Sequence, residues 1–128
     1  MGGNIQFCVS GGAALDAEIG RGLETLGLNL LEGYGMTETA PIIAFTRPGD
    51  YIPGCVGLPL PSVECKIIPS EMGTMEEGRV VVGELCAKGP NVMKGYYNRP
   101  EETAATIDGD GFIHTGDLAR FDEAGRVY

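Results

Sequence analysis

The apolar positions of residues 1–46 form two short continuous runs separated by a segment with helical spacing. Residues 5–9 (IQFCV) predict a short buried strand, and the Ser-Gly-Gly sequence at 10–12 predicts a turn after it. Residues 28–35 (LNLLEGYG) predict a second strand that runs into a glycine turn. The order strand, helix, strand predicts one α/β unit over residues 1–46.

The predicted helix between these strands has recognisable ends. Ile19, Leu23 and Leu26 recur at intervals of four and three residues, so they predict a single apolar face. Asp16 is suited to cap the first turn, because its carboxylate can accept hydrogen bonds from unpaired backbone N–H groups. Gly27 predicts the end of the helix, since glycine readily adopts the left-handed conformation found there.

From about residue 47 the pattern becomes that of short strands between turns. Val63, Cys65 and Ile67 alternate with polar residues, and residues 78–89 and 111–128 also predict strands. Together they predict a small antiparallel sheet or β-barrel-like unit over residues 47–128. The fold class predicted for the whole chain is therefore α/β followed by mostly β.

The second unit also contains a predicted short helix and a predicted hairpin turn. Residues 98–107 (NRPEETAATI) predict a short helix, with Asn98 as cap, Pro100 in the first turn and Glu101 completing a capping box. Residues 122–125 (DEAG) predict a hairpin turn.

Composition and charge narrow the possible functions. The 128 residues include 21 glycines and 8 prolines and suit one domain or a piece of a larger protein; an internal piece is the expectation. The net charge of −9, without a basic run, argues against nucleic acid or anionic lipid as a partner. No signal peptide or 18-residue apolar span is visible in the sequence, and a reducing, cytoplasmic setting is predicted.

The cysteine and histidine pattern argues against a zinc site. The four cysteines contain no CxxC pair, and His114 stands alone without ligand spacing. Cys8, Cys65 and Cys86 lie in apolar runs, which predicts buried thiols. His114 is more readily interpreted as a packed strand residue than as a catalytic base.

Glycine-rich turns supply the first candidate chemistry. Residues 11–13 (GGA) join a strand to a helix, where backbone can approach a flat ligand and the helix N-terminus can face an anion. Taken alone, these residues are more readily interpreted as an ordinary βα turn. Residues 33–35 (GYG) lack the third glycine of a dinucleotide fingerprint, and a Walker-type phosphate loop is absent from the sequence.

Polar residues after these turns suggest a nucleotide site. Thr37 can bond a phosphate oxygen, Glu38 can hold Mg²⁺, and Tyr34 offers a ring for stacking. The alternative is a helix N-terminus with Thr37 as its cap. Asp117 can accept hydrogen bonds from both hydroxyls of a ribose, or it is a turn aspartate that bonds its own backbone.

Five segments, in order, resemble motifs of the adenylate-forming superfamily, which includes acyl-CoA synthetases, luciferases and peptide-synthetase adenylation domains. The segments are SGGAAL (10–15), EGYGMTETAP (32–41), VGLPLPSVECKI (56–67), GELCAKGPNVMKGYYNRPEET (83–103) and GFIHTGDLARFDEAGRVY (111–128). The resemblance covers nearly the whole chain. It implies an internal fragment of the large N-terminal domain: a βαβ sheet unit, residues 1–46, with the YGMTE motif, and a β-barrel-like subdomain, residues 47–128, with the TGD motif.

The resemblance also implies a reaction and a set of site residues. A carboxylic acid attacks ATP to give acyl-AMP, and coenzyme A then displaces AMP; Mg²⁺ accompanies the nucleotide. Tyr34 would stack on adenine, Thr37 would contact the α-phosphate, Glu38 would bind Mg²⁺, and Asp117 would hold the ribose; Thr37 and Glu38 would be the catalytic pair. The nucleotide-binding residues implied are Gly11, Gly12, Ala13, Glu32, Gly33, Tyr34, Gly35, Met36, Thr37 and Asp117.

Some family features differ or are missing. Ala14 stands where the family has proline and Ser62 where it commonly has glycine, and both are loop details. The family's phosphate loop, hinge arginine and acylation lysine are not in this sequence, so the chain alone is expected to complete neither half-reaction. YGMTE and residues 41–45 (PIIAF) look most like fatty-acyl ligases, with residues 41–45 either lining an acyl tunnel or forming a buried strand.

Two other functions stay open at this point. An acyl-carrier-protein ligase shares these motifs, and an inert structural or binding module of the same ancestry would also carry them. The exposed edges of such a fragment predict self-association.

Overall fold

The computed structural model describes residues 3–69 and 81–128, which form two sheets and two helices. The strands and helices are β1 (Cys8–Gly11), α1 (Ala17–Thr25), β2 (Leu30–Tyr34), β3 (Ala44–Phe45), β4 (Leu58–Pro59), β5 (Glu64–Pro69), β6 (Gly83–Lys88), α2 (Pro100–Thr106) and β7 (Ile113–Ala119). A 3₁₀ turn covers Thr37–Thr39. None of the helices in these two ranges is long and apolar enough to cross a membrane.

The first sheet has the order β1-β2-β3-β4. Strands β1 and β2 are parallel, with Cys8 opposite Leu30, and α1 connects them, so the predicted βαβ unit is confirmed. Strands β3 and β4 add in antiparallel pairs. Strand β4 joins this sheet although it lies beyond residue 46. The division of the chain into two units at residue 46 stays a prediction.

The second sheet is antiparallel, with the order β5-β6-β7. Residues 122–125 form the predicted turn: the Gly125 N–H donates to the Asp122 carbonyl, and Asp122 Oδ1 accepts from the Ala124 N–H. Phe121 and Val127 then pair across the hairpin. The mostly β character predicted for the second half is confirmed.

Helix α1 begins and ends as predicted. The Asp16 carboxylate accepts hydrogen bonds from the N–H groups of Glu18 (2.8 Å) and Ile19 (3.2 Å). These bonds satisfy two of the N–H groups that a helix leaves unpaired at its start. Gly27 follows the last turn with φ of 78°, the left-handed conformation that glycine adopts without steric cost.

Helix α2 does not begin as predicted. The capping position is Arg99, which makes no side-chain capping bond, and Asn98 precedes it with φ of 54°. The capping box from Asn98 to Glu101 is therefore wrong. Thr103 supplies the local bonds instead: its hydroxyl accepts from the Tyr96 N–H and donates to the Arg99 carbonyl.

The first strand is exposed, which corrects the prediction of a buried strand at residues 5–9. Strand β1 spans Cys8–Gly11 at the sheet edge, and Phe7 and Val9 are 53% and 57% exposed. The apolar face of α1 is also open, with Leu26 72% exposed. In the described part of the chain no element covers this face.

The core lies where the two sheets meet. Ile43 and Ala44, both fully buried, belong to two adjoining apolar clusters. Ile43 packs with Val63, Ala87 and Ile113, whereas Ala44 packs with Leu85, Ala119 and Val127. Because Ile43 and Ala44 are core residues, residues 41–45 favour the buried-strand interpretation over an acyl tunnel.

The cysteines follow this packing only in part. Cys86 is fully buried, as predicted, while Cys8 and Cys65 are half-buried. Burial raises the pKa of the Cys65 thiol to about 11, which keeps it protonated and unreactive at neutral pH.

Candidate functional site

A cavity of about 430 Å³ opens between the carboxyl ends of β1 and β2 and strand β7 of the second sheet. Parallel strands commonly present ligand sites at their carboxyl ends. The structure brings together on its wall seven of the ten predicted nucleotide-binding residues: Gly12, Ala13, Glu32, Gly33, Tyr34, Gly35 and Asp117. The predictions missed Val56 and Tyr128, which also line it, because these contacts depend on how the C-terminal hairpin folds back.

Tyr34 and Asp117 join the two sheets across this cavity. The Tyr34 hydroxyl donates a 2.7 Å hydrogen bond to Asp117 Oδ2, over a sequence separation of 83 residues. Burial raises the pKa of Tyr34, so the phenol remains a neutral donor at physiological pH. One carboxylate oxygen of Asp117 thus accepts a hydrogen bond from the other sheet. Asp117 does not behave as a turn aspartate that bonds its own backbone.

Glu32 places a second carboxylate in the cavity wall. Glu32 as a residue is 94% buried, and within the described ranges its Oε2 atom has no hydrogen-bond partner. Burial raises the pKa of Glu32, and a hydrogen bond from the Leu15 backbone opposes this in part. An unpaired carboxylate oxygen in a cavity is a strong acceptor for a ligand N–H or O–H group.

The two glycines that flank Tyr34 permit close packing of backbone. A Cβ at Gly35 would lie 1.8 Å from the Pro41 carbonyl oxygen, and one at Gly33 would lie 2.9 Å from the Phe45 ring. Backbone atoms therefore exclude a side chain at Gly35, whereas a side chain at Gly33 would require the Phe45 ring to shift. Glycine here lets the chain turn sharply beneath Tyr34 and bring the next loop against β2.

Met36, Thr37 and Glu38 lie in that loop, beyond the set of residues that line the cavity. Gly11, the last residue of β1, does not line it either. Met36 occupies the capping position of the 3₁₀ turn, so the alternative assignment of Thr37 as a helix cap is wrong. Thr37 is exposed and free to contact a ligand.

A segment that the predictions missed holds Glu38. The Tyr96 hydroxyl donates to Glu38 Oε1 at 2.8 Å, and the Met93 N–H donates to the Glu38 carbonyl at 2.8 Å. Asn91 completes the contact by donating to the carbonyls of Thr39 and Ile42. These residues are more than 45 positions from their partners, and no local spacing rule would have indicated them.

The loop offers a donor set that fits magnesium. Mg²⁺ is usually bound through one or two carboxylates, retained water and substrate phosphates. Glu38 has one oxygen engaged by Tyr96 and the other free of protein hydrogen bonds among the described residues. A half-exposed carboxylate of this kind suits an ion that arrives with a nucleotide.

His114 belongs to a hydrogen-bonded group beside the cavity. Its Nδ1 atom lies 3.0 Å from Glu84 Oε2 and 3.7 Å from the buried Cys86 sulfur. The pKa of Glu84 is lowered, chiefly by the hydrogen bond with His114, while burial raises that of Cys86. The potential ligand atoms lie within 4.8 Å of one another, a juxtaposition that the sequence spacing did not indicate; the hydrogen bonds are sufficient to account for it.

The fold and the cavity define an α/β protein with a small-molecule site whose polar groups are carboxylates, a phenol and glycine-rich backbone. The chain belongs to the family of AMP-binding enzymes, whose family model matches residues 1–97. The resemblance inferred from the five motifs is thereby confirmed.

Individual relatives agree with this assignment. The chain is 42% identical over 127 residues to the long-chain-fatty-acid–CoA ligase of Bacillus subtilis, covering 98% of this chain and 22% of that protein. It is 43% identical over 122 residues to luciferin 4-monooxygenase of Photinus pyralis, covering 94% and 22%. The chain thus spans about a fifth of the length of these relatives.

Solved structures agree on the fold. Apo MatB from Rhodopseudomonas palustris matches with a TM-score of 0.83 and 41% identity, over 95% of this chain and 24% of that one. O-succinylbenzoate coenzyme A synthetase from Bacillus subtilis in complex with AMP matches with a TM-score of 0.76 and 33% identity, over 94% and 24%. The predicted fold class, a fragment of an adenylate-forming N-terminal domain, is confirmed.

Proposed function

We propose that the chain is the AMP-binding portion of a ligase that activates a carboxylic acid with ATP to acyl-AMP and transfers the acyl group to coenzyme A. The observation that carries this proposal is the Tyr34–Asp117 pair on the wall of a cavity next to the unpaired Glu32 carboxylate. The relatives named as long-chain-fatty-acid–CoA ligases and the malonyl-CoA ligase bound to methylmalonyl-CoA and AMP support the same reaction.

The residues divide the work of nucleotide binding. The Tyr34 ring would stack on the adenine, and Asp117 would accept hydrogen bonds from the ribose hydroxyls through its two oxygens. The backbone at Gly12 and Ala13 approaches the ligand closely because the first of these lacks a side chain. Such a site acts by holding the reactants in position.

The loop after β2 would contact the phosphates of the nucleotide. Thr37 would donate its hydroxyl to the α-phosphate, and Glu38 would hold Mg²⁺ while Tyr96 fixes the orientation of its carboxylate. Bound magnesium would neutralise phosphate charge as it develops. In this proposal Thr37 and Glu38 form the catalytic pair, and Tyr96 is a positioning residue.

We further propose that the acid is a fatty acid and that the acceptor is coenzyme A. Long-chain ligases from several organisms are similar to the chain, and this favours a long-chain acid over the acid of the malonyl-CoA ligase. A carrier-protein acceptor remains the alternative. A cytoplasmic location is proposed as well; one relative is named as peroxisomal. The 128-residue chain alone should complete neither half-reaction.

An amide-resolved NMR titration of the chain with AMP tests the proposal. Shifts should cluster at residues 11–13, 32–35 and 117, and they should weaken in Asp117→Ala. Asp50→Ala, which removes an exposed carboxylate outside the cavity, is the matched control and should leave the shifts unchanged. A well-dispersed spectrum without AMP-dependent shifts would instead favour an inert structural module.

A further inference from the structure

The strand that carries Asp117 is irregular beside that residue. Strands β6 and β7 pair in an antiparallel register that shifts between Glu84 and Cys86, an irregularity of the kind that β-bulges produce. Bulges often re-aim a side chain next to a functional site. Here the irregularity lies opposite the HTGD segment, directly before the carboxylate that reaches Tyr34.

The Glu84 carboxylate contacts this irregular part of β7 through both of its oxygens. Oε1 accepts the Gly116 N–H at 3.0 Å, and Oε2 lies 3.0 Å from His114 Nδ1. Gly116 adopts φ of 75°, a left-handed conformation outside normal strand geometry. The Gly116 N–H therefore points to a side chain and not into the strand ladder.

Thr115 connects β6 to the backbone of Asp117. Its hydroxyl donates to the Leu85 carbonyl at 2.8 Å and accepts the Asp117 N–H at 3.1 Å. Contacts from Glu84 and Leu85 thus fix three consecutive residues of β7 before Asp117. The Asp117 carboxylate reaches the Tyr34 hydroxyl from this fixed backbone.

We propose that Glu84 is a positioning residue for Asp117: it holds Gly116 in the left-handed conformation and so aims the Asp117 carboxylate at Tyr34 and the cavity. The proposal rests on the proposed function in one respect, that Asp117 receives the ribose hydroxyls. Glu84 itself does not line the cavity.

The test compares the dissociation constants of AMP and 2′,3′-dideoxy-AMP by NMR titration. The measurements include a chelator, so that a metal held by Glu84, Cys86 and His114 cannot contribute. The intact chain should prefer AMP by at least about tenfold, the discrimination expected for one hydrogen bond to a charged group. In Asp117→Ala the preference should fall to about one.

Glu84→Ala should lose the preference in the same way. Glu84→Gln should keep most of it, because the amide oxygen still accepts the Gly116 N–H. Glu84→Asp, shorter by one methylene, keeps the charge but not the reach and should lose it; this variant decides the question if Glu84→Ala does not fold. Glu64→Ala, on the exposed face of β5, is the matched control and should behave like the intact chain. A folded Glu84→Ala or Glu84→Asp chain with an unchanged preference would overturn the proposal.

Amide hydrogen exchange of the ligand-free chains separates this proposal from the proposed function. In Glu84→Ala and Glu84→Asp, exchange at Gly116 and Asp117 should accelerate about tenfold relative to Glu84→Gln, whether or not AMP binds. Unchanged exchange at both amides would refute the positioning role of Glu84. If the intact chain fails to bind AMP while the exchange rates change as expected, the nucleotide assignment fails and the positioning role stands.

Discussion

Substitution of Gly35 by alanine tests why glycine precedes the proposed phosphate-binding loop. The added Cβ would lie 1.8 Å from the Pro41 carbonyl oxygen, 2.8 Å from its carbon and 2.9 Å from the Ile42 Cα, whereas ordinary contact begins at 3.4 Å. The obstructing atoms are backbone, so rotation of a side chain cannot relieve the overlap.

The loop that would have to move is held in place by several hydrogen bonds. Thr39 donates to the Pro41 carbonyl, Asn91 donates to the Ile42 carbonyl, and the Ile43 N–H donates to the Tyr34 carbonyl. Overpacking alone costs about 1–3 kcal/mol, and each disturbed hydrogen bond adds about 1 kcal/mol. We expect Gly35→Ala to lower the free energy of unfolding by about 3 kcal/mol or more.

Urea denaturation followed by circular dichroism measures this loss. Gly22→Ala is the matched control, because Gly22 lies in α1 and, apart from its chain neighbours and the nearby backbone of its own helix, no described atom is within 4 Å of its added Cβ. That variant should gain up to about 1 kcal/mol from helix propensity. A Gly35→Ala chain within about 0.5 kcal/mol of the original would refute the steric argument.

Three further predictions concern other parts of the chain. Burial raises the pKa of Glu32, so the folded chain loses stability as pH rises from the ordinary value of 4.5 through the raised one. Glu32→Gln should therefore be more stable than the original at neutral pH, but not in acid, in urea denaturation. Tyr96→Phe should reduce the Mg²⁺-dependent gain in ATP affinity about tenfold in calorimetry, and an unchanged gain would exclude orientation of Glu38 by Tyr96. The chain should self-associate through β1, so Val9→Lys should lower the mass measured by light scattering, whereas Tyr97→Lys should not; a monomer at all concentrations would contradict this.

Local signals in the sequence predicted local structure well. Asp16 and Gly27 correctly marked the two ends of α1, because capping depends on residues within a few positions of each other. Asn98 shows the limit of such signals. Its side chain has the correct chemistry for a cap, but its backbone is left-handed and the helix begins after Arg99. A capping pattern specifies residue types and not the backbone dihedral angles that the surrounding loop imposes.

The site was predicted through motifs, and its supporting contacts were not. Tyr34 and Asp117 were singled out separately, and the structure shows that they touch. The support that Tyr96 gives to Glu38, and Glu84 to Gly116, depends on loop paths and strand register that spacing does not encode. The prediction that β1 is buried was wrong. An apolar run indicates that a strand is suited to burial, but it does not show that another element covers the strand.

Residues of both sheets line the cavity. A ligand bound there therefore stabilises the folded form of both sheets together. A ligand that binds only the folded chain stabilises it by about 2.7 kcal/mol at one hundred times its dissociation constant. Because Tyr34 belongs to β2 and Asp117 to β7, separation of the sheets abolishes the site and forfeits this energy. A bound nucleotide would therefore couple the unfolding of the two sheets into one cooperative transition.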